Sequence, residues 1–148
     1  LNHSLEHMYN PKQVLLEIER ILKPAGSVFI GVPNIDSVQR KLFGRYWYFW
    51  GAPIHLYAYS TETLRKLLQS AKLGIYSQKT ISGTQGILGS LQYILNHVIV
   101  KLKGAKVVNY AVRDNRWLIT IFSPLAKLID KLQKGDCLEV VARKKTVS

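Results

Sequence analysis

The sequence predicts an α/β fold, in which amphipathic helices alternate with the strands of a single sheet. Three observations carry this. A helical stripe ends at Pro24-Ala25-Gly26 and is followed by the β-branched run Ser27 to Val32. A second stripe, Leu64, Leu67, Leu68 and Ala71, precedes the strand-like segment Ile75 to Ser82. Two further amphipathic stretches then lead into a last short strand, Leu138 to Ala142.

Each element has a local cause. Leu1 to Met8 reads as the end of a strand running into a helix. Asn10 is placed to cap the next helix, with Pro11 at its first position, where a missing N–H costs nothing. Val14, Leu15, Ile18, Ile21 and Leu22 follow at helical spacing, with Lys12, Glu17, Glu19, Arg20 and Lys23 off the stripe. Ser27 to Val32 has the pattern of a buried parallel strand, stopped by Pro33-Asn34. Asp36 to Phe43 fits a short helix, and Phe43 to Trp50 is a loop with six aromatics in eight residues. Ser60 caps the following helix, but Glu62 falls one place early for a full capping box. Lys72-Leu73-Gly74 is expected to close that helix.

The bulk numbers bound the class. A chain of 148 residues, 47% hydrophobic and 20% charged, suits one globular domain with a real core. Its single cysteine, Cys137, excludes an internal disulfide and fits a reducing compartment. The longest apolar region, Ile87 to Leu102, is broken by Ser90, Gln92, Asn96 and His97 and is too interrupted to span a bilayer. The net charge is +12, and Gly74 to Gly135 carries nine Lys or Arg against Asp114 and Asp130. Such an excess favours nucleic acid, anionic membrane or acidic substrates, but on charge alone a solvated surface is the preferred reading.

Several segments resemble one family. Ser4-Leu5-Glu6-His7-Met8, Asn10-Pro11, Leu22-Lys23-Pro24-Ala25-Gly26 and Val32-Pro33-Asn34 are similar to the segment after the fourth strand of class I S-adenosylmethionine-dependent methyltransferases. Pro53-Ile54-His55-Leu56-Tyr57, Tyr59-Ser60, Leu64 to Gly74, Gly135-Asp136 and Leu138 to Lys144 continue the resemblance in order. Ala25 stands where the family's tight turn has a second glycine, a mild change if its φ stays negative. The resemblance implies the C-terminal half of a Rossmann-like sheet, residues 1–148 forming a partial domain. Its strands would be five, seven and six, with strand seven antiparallel and a helical insertion or cap over residues 83–135. The glycine-rich cofactor loop and the acidic ribose ligand would lie upstream of Leu1. The run Gly83 to Gly89 has the wrong spacing to replace that loop and reads as a flexible lead into a helix. Strand 27–32, without its fourth-strand neighbour, would expose an edge and invite self-association.

The insertion has two apolar stripes. Ile87, Leu88, Leu91, Ile94, Leu95, Val98, Ile99 and Leu102 form one. Trp117, Leu118, Ile121, Phe122, Leu125, Leu128, Ile129 and Leu132 form the other, with a restart expected at Ser123-Pro124. Packing of these faces on each other makes a cap; the alternative is a lid that contacts membrane through residues 86–134.

The resemblance also implies a site. Glu6, His7 and His55 are the catalytic candidates, Asn2 and His3 the cofactor-binding ones, and Tyr46, Trp47 and Trp50 the acceptor-binding ones. Relatives that methylate small-RNA ends hold a divalent ion with a carboxylate pair and histidines. Here His3 replaces the first carboxylate, leaving three imidazoles and one acid, a set better suited to zinc than to magnesium. Hydrogen bonds pinning the two loops together explain these residues without an ion, and no metal is expected. The implied function is methyl transfer from S-adenosylmethionine to a small or lipid-linked acceptor, at oxygen, with this chain alone inactive. An RNA methyltransferase, or a non-catalytic module pairing through its sheet edge, are the alternatives. The expected location is the cytoplasm, with or without peripheral membrane contact.

Overall fold

Asn10 opens the first helix as its position requires: its side chain accepts from the Gln13 N–H at 3.2 Å, and Pro11 begins α1, Pro11–Ile21. The structure, a computed structural model, describes residues 1–51, 53–104 and 111–145. After α1 come strand β1 (Ser27–Pro33), helix α2 (Val38–Phe43), helix α3 (Thr61–Ser70) and strand β2 (Leu73–Ile81). Helices α4 (Thr84–Lys103) and α5 (Arg116–Lys131) then precede strand β3, Cys137–Lys144. Short 3₁₀ turns occupy Leu5–His7, Gly44–Tyr46 and Tyr48–Trp50.

The described strands form one sheet in the order β1-β3-β2, with β3 antiparallel to both neighbours. Ile30 and Val32 of β1 and Leu138, Val140 and Ala142 of β3 alternate onto one face and are buried. Leu15 of α1 and Leu64 and Leu68 of α3 cover that face, joined by Leu5, Tyr59, Ala71 and Leu73. Burial of each such leucine contributes about 2 kcal/mol. The opposite face is partly polar, with Lys79 and Glu139 paired at 3.1 Å.

Several expectations need correction. The Ser27–Val32 strand pairs with an antiparallel β3, as expected of the last strand, but its other edge departs from the expectation. That edge is not bare. The Leu1 amino group donates to the Phe29 carbonyl, the Gly31 N–H to Leu1, and the His3 N–H to Gly31. This parallel bridge between Asn2 and Gly31 covers part of the edge on which self-association was expected to depend. The capping box at Ser60 is complete: the Thr63 hydroxyl, not a carboxylate, accepts the Ser60 N–H at 2.8 Å. The turn after α3 is made by Lys72 at φ +59°, and Leu73-Gly74 already belongs to β2. Ala25 keeps a negative φ, so the missing second glycine is harmless.

The α4–α5 segment differs most. Gly83 to Gly89 is not a flexible lead: α4 starts at Thr84, and Gly86 and Gly89 are buried within it. Helix α5 runs through Pro124 without a restart. Pro124 and Thr120 are both exposed, so water can satisfy the carbonyl that proline cannot reach. Ile87, Leu88, Ala126 and Ile129 are buried, but Leu95, Val98, Trp117, Ile121 and Leu125 are not, so the apolar faces cover each other only in part.

Candidate active site

The last residues of β1 and β2 both pair opposite Cys137, the first residue of β3. Open α/β sheets place their chemistry at the carboxyl ends of their strands. Residues 1–7, the aromatic loop and the start of α4 all gather at this edge.

Glu6 lies in the 3₁₀ turn that follows the Leu1–His3 edge, and its side chain is fully buried. Its carbonyl accepts from the Leu56 and Tyr57 N–H groups, at 2.8 and 3.2 Å, which brings the 51–57 loop against it. The loops are therefore pinned by backbone hydrogen bonds, whereas the Glu6 carboxylate oxygens have no hydrogen-bond partner. Histidines surround that carboxylate. His3 Nδ1 lies 3.4 Å from Oε1, and His7 Nε2 lies 4.0 Å from it. His7 and His55 meet edge to face, with centroids 4.7 Å apart.

The tautomers follow from the partners. His7 Nδ1 faces the Ile54 carbonyl at 3.1 Å, and His55 Nδ1 faces the Phe49 carbonyl at 3.0 Å. A carbonyl oxygen only accepts, so each Nδ1 carries a proton, and in the neutral ring Nε2 is the atom with the lone pair. Gly51 makes the His55 position possible. Its φ is +53°, and a Cβ there would lie 2.5 Å from His55 Nδ1.

Charge is organised around the same atoms. Burial is the largest single influence and would push the Glu6 carboxyl up, but contact with His3, a backbone N–H and the charges of His3 and His55 together outweigh it, and the carboxyl ends below its ordinary value. His3 is pushed up to about 10 by Cys137 first and Glu6 second. Its Nε2 lies 3.8 Å from Cys137 Sγ, its ring stacks near Phe49, and its φ is +47°. One ligand atom each from Glu6, His7 and His55 falls within 4.8 Å of the others, a spacing that could hold a divalent ion.

A cleft of about 350 Å³ opens beside this cluster, lined by His3, His55, Tyr48, Phe49, Gln85 and Tyr93, with Gly51 at its wall. The acceptor-binding candidates sit elsewhere. Trp47 is fully buried, and its Nε1 donates to Asp136 Oδ1 at 2.7 Å. Trp50 packs on Trp47 and donates to the Gly44 carbonyl at 2.8 Å. Tyr46 packs on His97. Trp47 and Trp50 thus pack on each other, while Tyr48 and Phe49 line the cleft. The aromatic run signalled the loop, but not which of its rings would line the opening. Asn2 packs its side chain across Gly31, and His3 joins the Glu6 cluster; neither stands in a glycine-rich cradle.

Asp136 is a further residue that the sequence did not single out as a site member. It is buried just before β3, and burial pushes its carboxyl up to about 6 against the hydrogen bond from Trp47 and the nearby Ser37 hydroxyl. Gly86 and Gly89 let α4 approach closely, because a Cβ on either would clash with Asp136 Oδ2 or the Tyr48 ring.

A family model described as "Methyltransferase domain" matches residues 1–78, just over half of the chain. No curated protein matches it. Two crystal structures share its fold. The [4+2]-cyclase SpnF is 20% identical, with a TM-score of 0.51, over 97% of this chain and 47% of its own. A SAM dependent methyltransferase from Archaeoglobus fulgidus is 18% identical, with a TM-score of 0.52, over 97% of this chain and 57% of its own. The chain therefore spans about half the length of these structures, and at such identities the likeness is one of fold.

Proposed function

The chain belongs to the methyltransferase domain family, of class I type, and we propose that it supplies the acceptor side of an S-adenosylmethionine-dependent methyltransferase site. In this reading β1, β3 and β2 are strands five, seven and six of the family sheet, and residues 83–135 are an insertion. The cofactor's sulfonium supplies an electrophilic methyl group. Asn2 and His3 lie at the carboxyl edge of the sheet, but the described residues form no glycine-rich cradle for the cofactor, so its grip belongs to residues outside this chain. The chain alone then neither binds the cofactor tightly nor turns over.

What this chain contributes is proton removal from an acceptor hydroxyl. His55 lines the cleft, and its Nδ1–H is committed to Phe49, leaving Nε2 free to take a proton. The observation that carries this role is the buried Glu6 carboxylate without a hydrogen-bond partner, ringed by His3 and His7 with His55 beside them. Its charge favours the imidazolium formed as the acceptor loses its proton. Tyr48, Phe49 and Tyr93 suit a flat or lipid-linked acceptor and exclude water from the transfer. The test is His55→Ala in the polypeptide that also carries the cofactor-binding segment, assayed for labelled methyl transfer to phenolic and lipid-linked hydroxyls. Turnover should fall about 100-fold or more with little change in melting temperature. Unchanged turnover would refute the role.

A second reading is favoured by the same buried carboxylate and the two imidazoles beside it. Glu6, His7 and His55 would hold a zinc-like ion that acidifies the acceptor hydroxyl. Zinc titration of the wild type and of Glu6→Gln separates the two: heat of binding lost in the variant supports the ion, and no heat in either supports the imidazole base.

A further inference from the structure

Helix α5 is apolar on two sides. Ala126 and Ile129 are buried inward, while Trp117, Ile121, Leu125, Leu128 and Leu132 are 81, 67, 45, 52 and 59% exposed. Their spacing of four, four, three and four residues places them on one outward face. Scattered surface apolar residues need no explanation, but a continuous stripe along a whole helix does. The stripe widens toward α2, where Leu42 is 73% exposed and an apolar groove of about 250 Å³ runs between the helices.

The charge around the stripe is mainly positive: exposed Asp114, just ahead of α5, is paired with Arg113, and exposed Asp36 precedes α2. Arg116, Lys127, Lys131 and Lys134 are exposed beside it, and Lys41 is exposed on α2. The one acid of α5, Asp130, is turned inward and accepts the Ser82 N–H. Among the described residues, no helix is long and apolar enough to cross a membrane. An exposed apolar stripe with tryptophan at one end, framed by cations, matches the boundary between anionic headgroups and acyl chains.

We infer that the outward face of α5, with Leu42 of α2, docks this protein on an anionic phospholipid surface. Trp117 and Ile121 enter the interface at one end of α5, Leu128 and Leu132 at the other, and the lysines meet the headgroups. The inference does not depend on methyl transfer, and its readout needs no cofactor.

The experiment is flotation of the full chain with vesicles of phosphatidylcholine alone or containing one-third phosphatidylglycerol. The expected result is binding to the anionic vesicles at least about tenfold tighter than to neutral ones, weakened by about 0.5 M salt. Trp117→Ser with Leu128→Ser should reduce binding about tenfold or more with an unchanged melting temperature, since both side chains are exposed. Lys127→Glu with Lys131→Glu should remove the preference for anionic vesicles. Three results would overturn the inference. One is wild-type protein left in the soluble fraction at low salt. Another is a concentration-dependent dimer, dispersed by the serine pair, that does not float. The third is salt-sensitive RNA binding, untouched by the serine pair, without vesicle binding.

Discussion

Replacing Asp136 by asparagine removes a buried charge while keeping an oxygen for the Trp47 indole. Asp136 is 1% exposed; its Oδ1 accepts from Trp47 Nε1 at 2.7 Å, and its Oδ2 has no hydrogen-bond partner. Burial raises its carboxyl from an ordinary 3.8 to about 6, with the nearby charge of Asp130 adding to the effect. The folded chain thus holds this proton more tightly than the unfolded chain. Stability from this group is complete below about pH 4, falls as pH rises through 6, and is lost above it. The span from 3.8 to about 6 corresponds to about 3 kcal/mol at full ionisation. Asparagine never ionises, but its unpartnered amide costs about 1–3 kcal/mol at every pH. Asp136→Asn should therefore be the less stable protein near pH 4 and match or exceed the wild type near pH 7.5. The difference between the two should change by about 2 kcal/mol across that window. Urea unfolding followed by tryptophan fluorescence reads this directly, since Trp47 is buried against the substituted group. Parallel stability curves for the two proteins would show that burial does not hold this proton, and the reasoning would fail.

Gly51→Ala should lower turnover of the cofactor-carrying polypeptide as far as His55→Ala does, because its φ is +53° and its Cβ would collide with the His55 ring. It should also lower the melting temperature by several degrees; full activity in that variant would show that His55 does not need this position. Isothermal titration of the chain alone with S-adenosylmethionine should give no tight binding, and micromolar affinity would place the cofactor's grip within these residues after all.

The parts of the fold that could be read from sequence are those fixed by neighbours along the chain. Asn10 and Pro11 start α1 where a cap and a ring-locked φ must, and the β-branched run at Ser27 becomes β1 with one added residue. The parts that could not be read depend on contacts from afar. Gly86 and Gly89 look like flexibility in a string of letters, yet they are buried because Asp136 and Tyr48 press against them. Pro124 looks like a break, yet its solvent-facing carbonyl partner makes it tolerable inside α5. Thr63 looks like an incomplete box because the usual pattern asks for a longer acceptor, though a hydroxyl reaches far enough. In the site, Glu6, His7 and His55 come together as the resemblance implies, whereas the aromatic rings divide between the cleft and the buried contact of Trp47 with Asp136, which a count of aromatics does not contain.

These distant contacts connect the catalytic candidates to the α4–α5 segment. His55 is held by the Phe49 carbonyl, and Phe49 lies between Tyr48 and Trp50 in one short turn. That turn is anchored twice. The Tyr48 N–H donates to Ser90 Oγ of α4 at 2.9 Å, and Trp47 donates to Asp136 just before β3. The Ser90 hydroxyl in turn donates to the Gly86 carbonyl at 2.5 Å, so both anchors meet where α4 approaches β3. A side chain at Gly86 or Gly89 would push α4 outward, stretch both anchors, and move the carbonyl that fixes the His55 tautomer. The lone pair on His55 Nε2 is therefore set by packing on the α4 side of the cleft as well as by the loop that carries the histidine. A helix whose neighbour α5 bears the outward apolar stripe is thus mechanically continuous with His55, through contacts that are all short and all buried or half-buried.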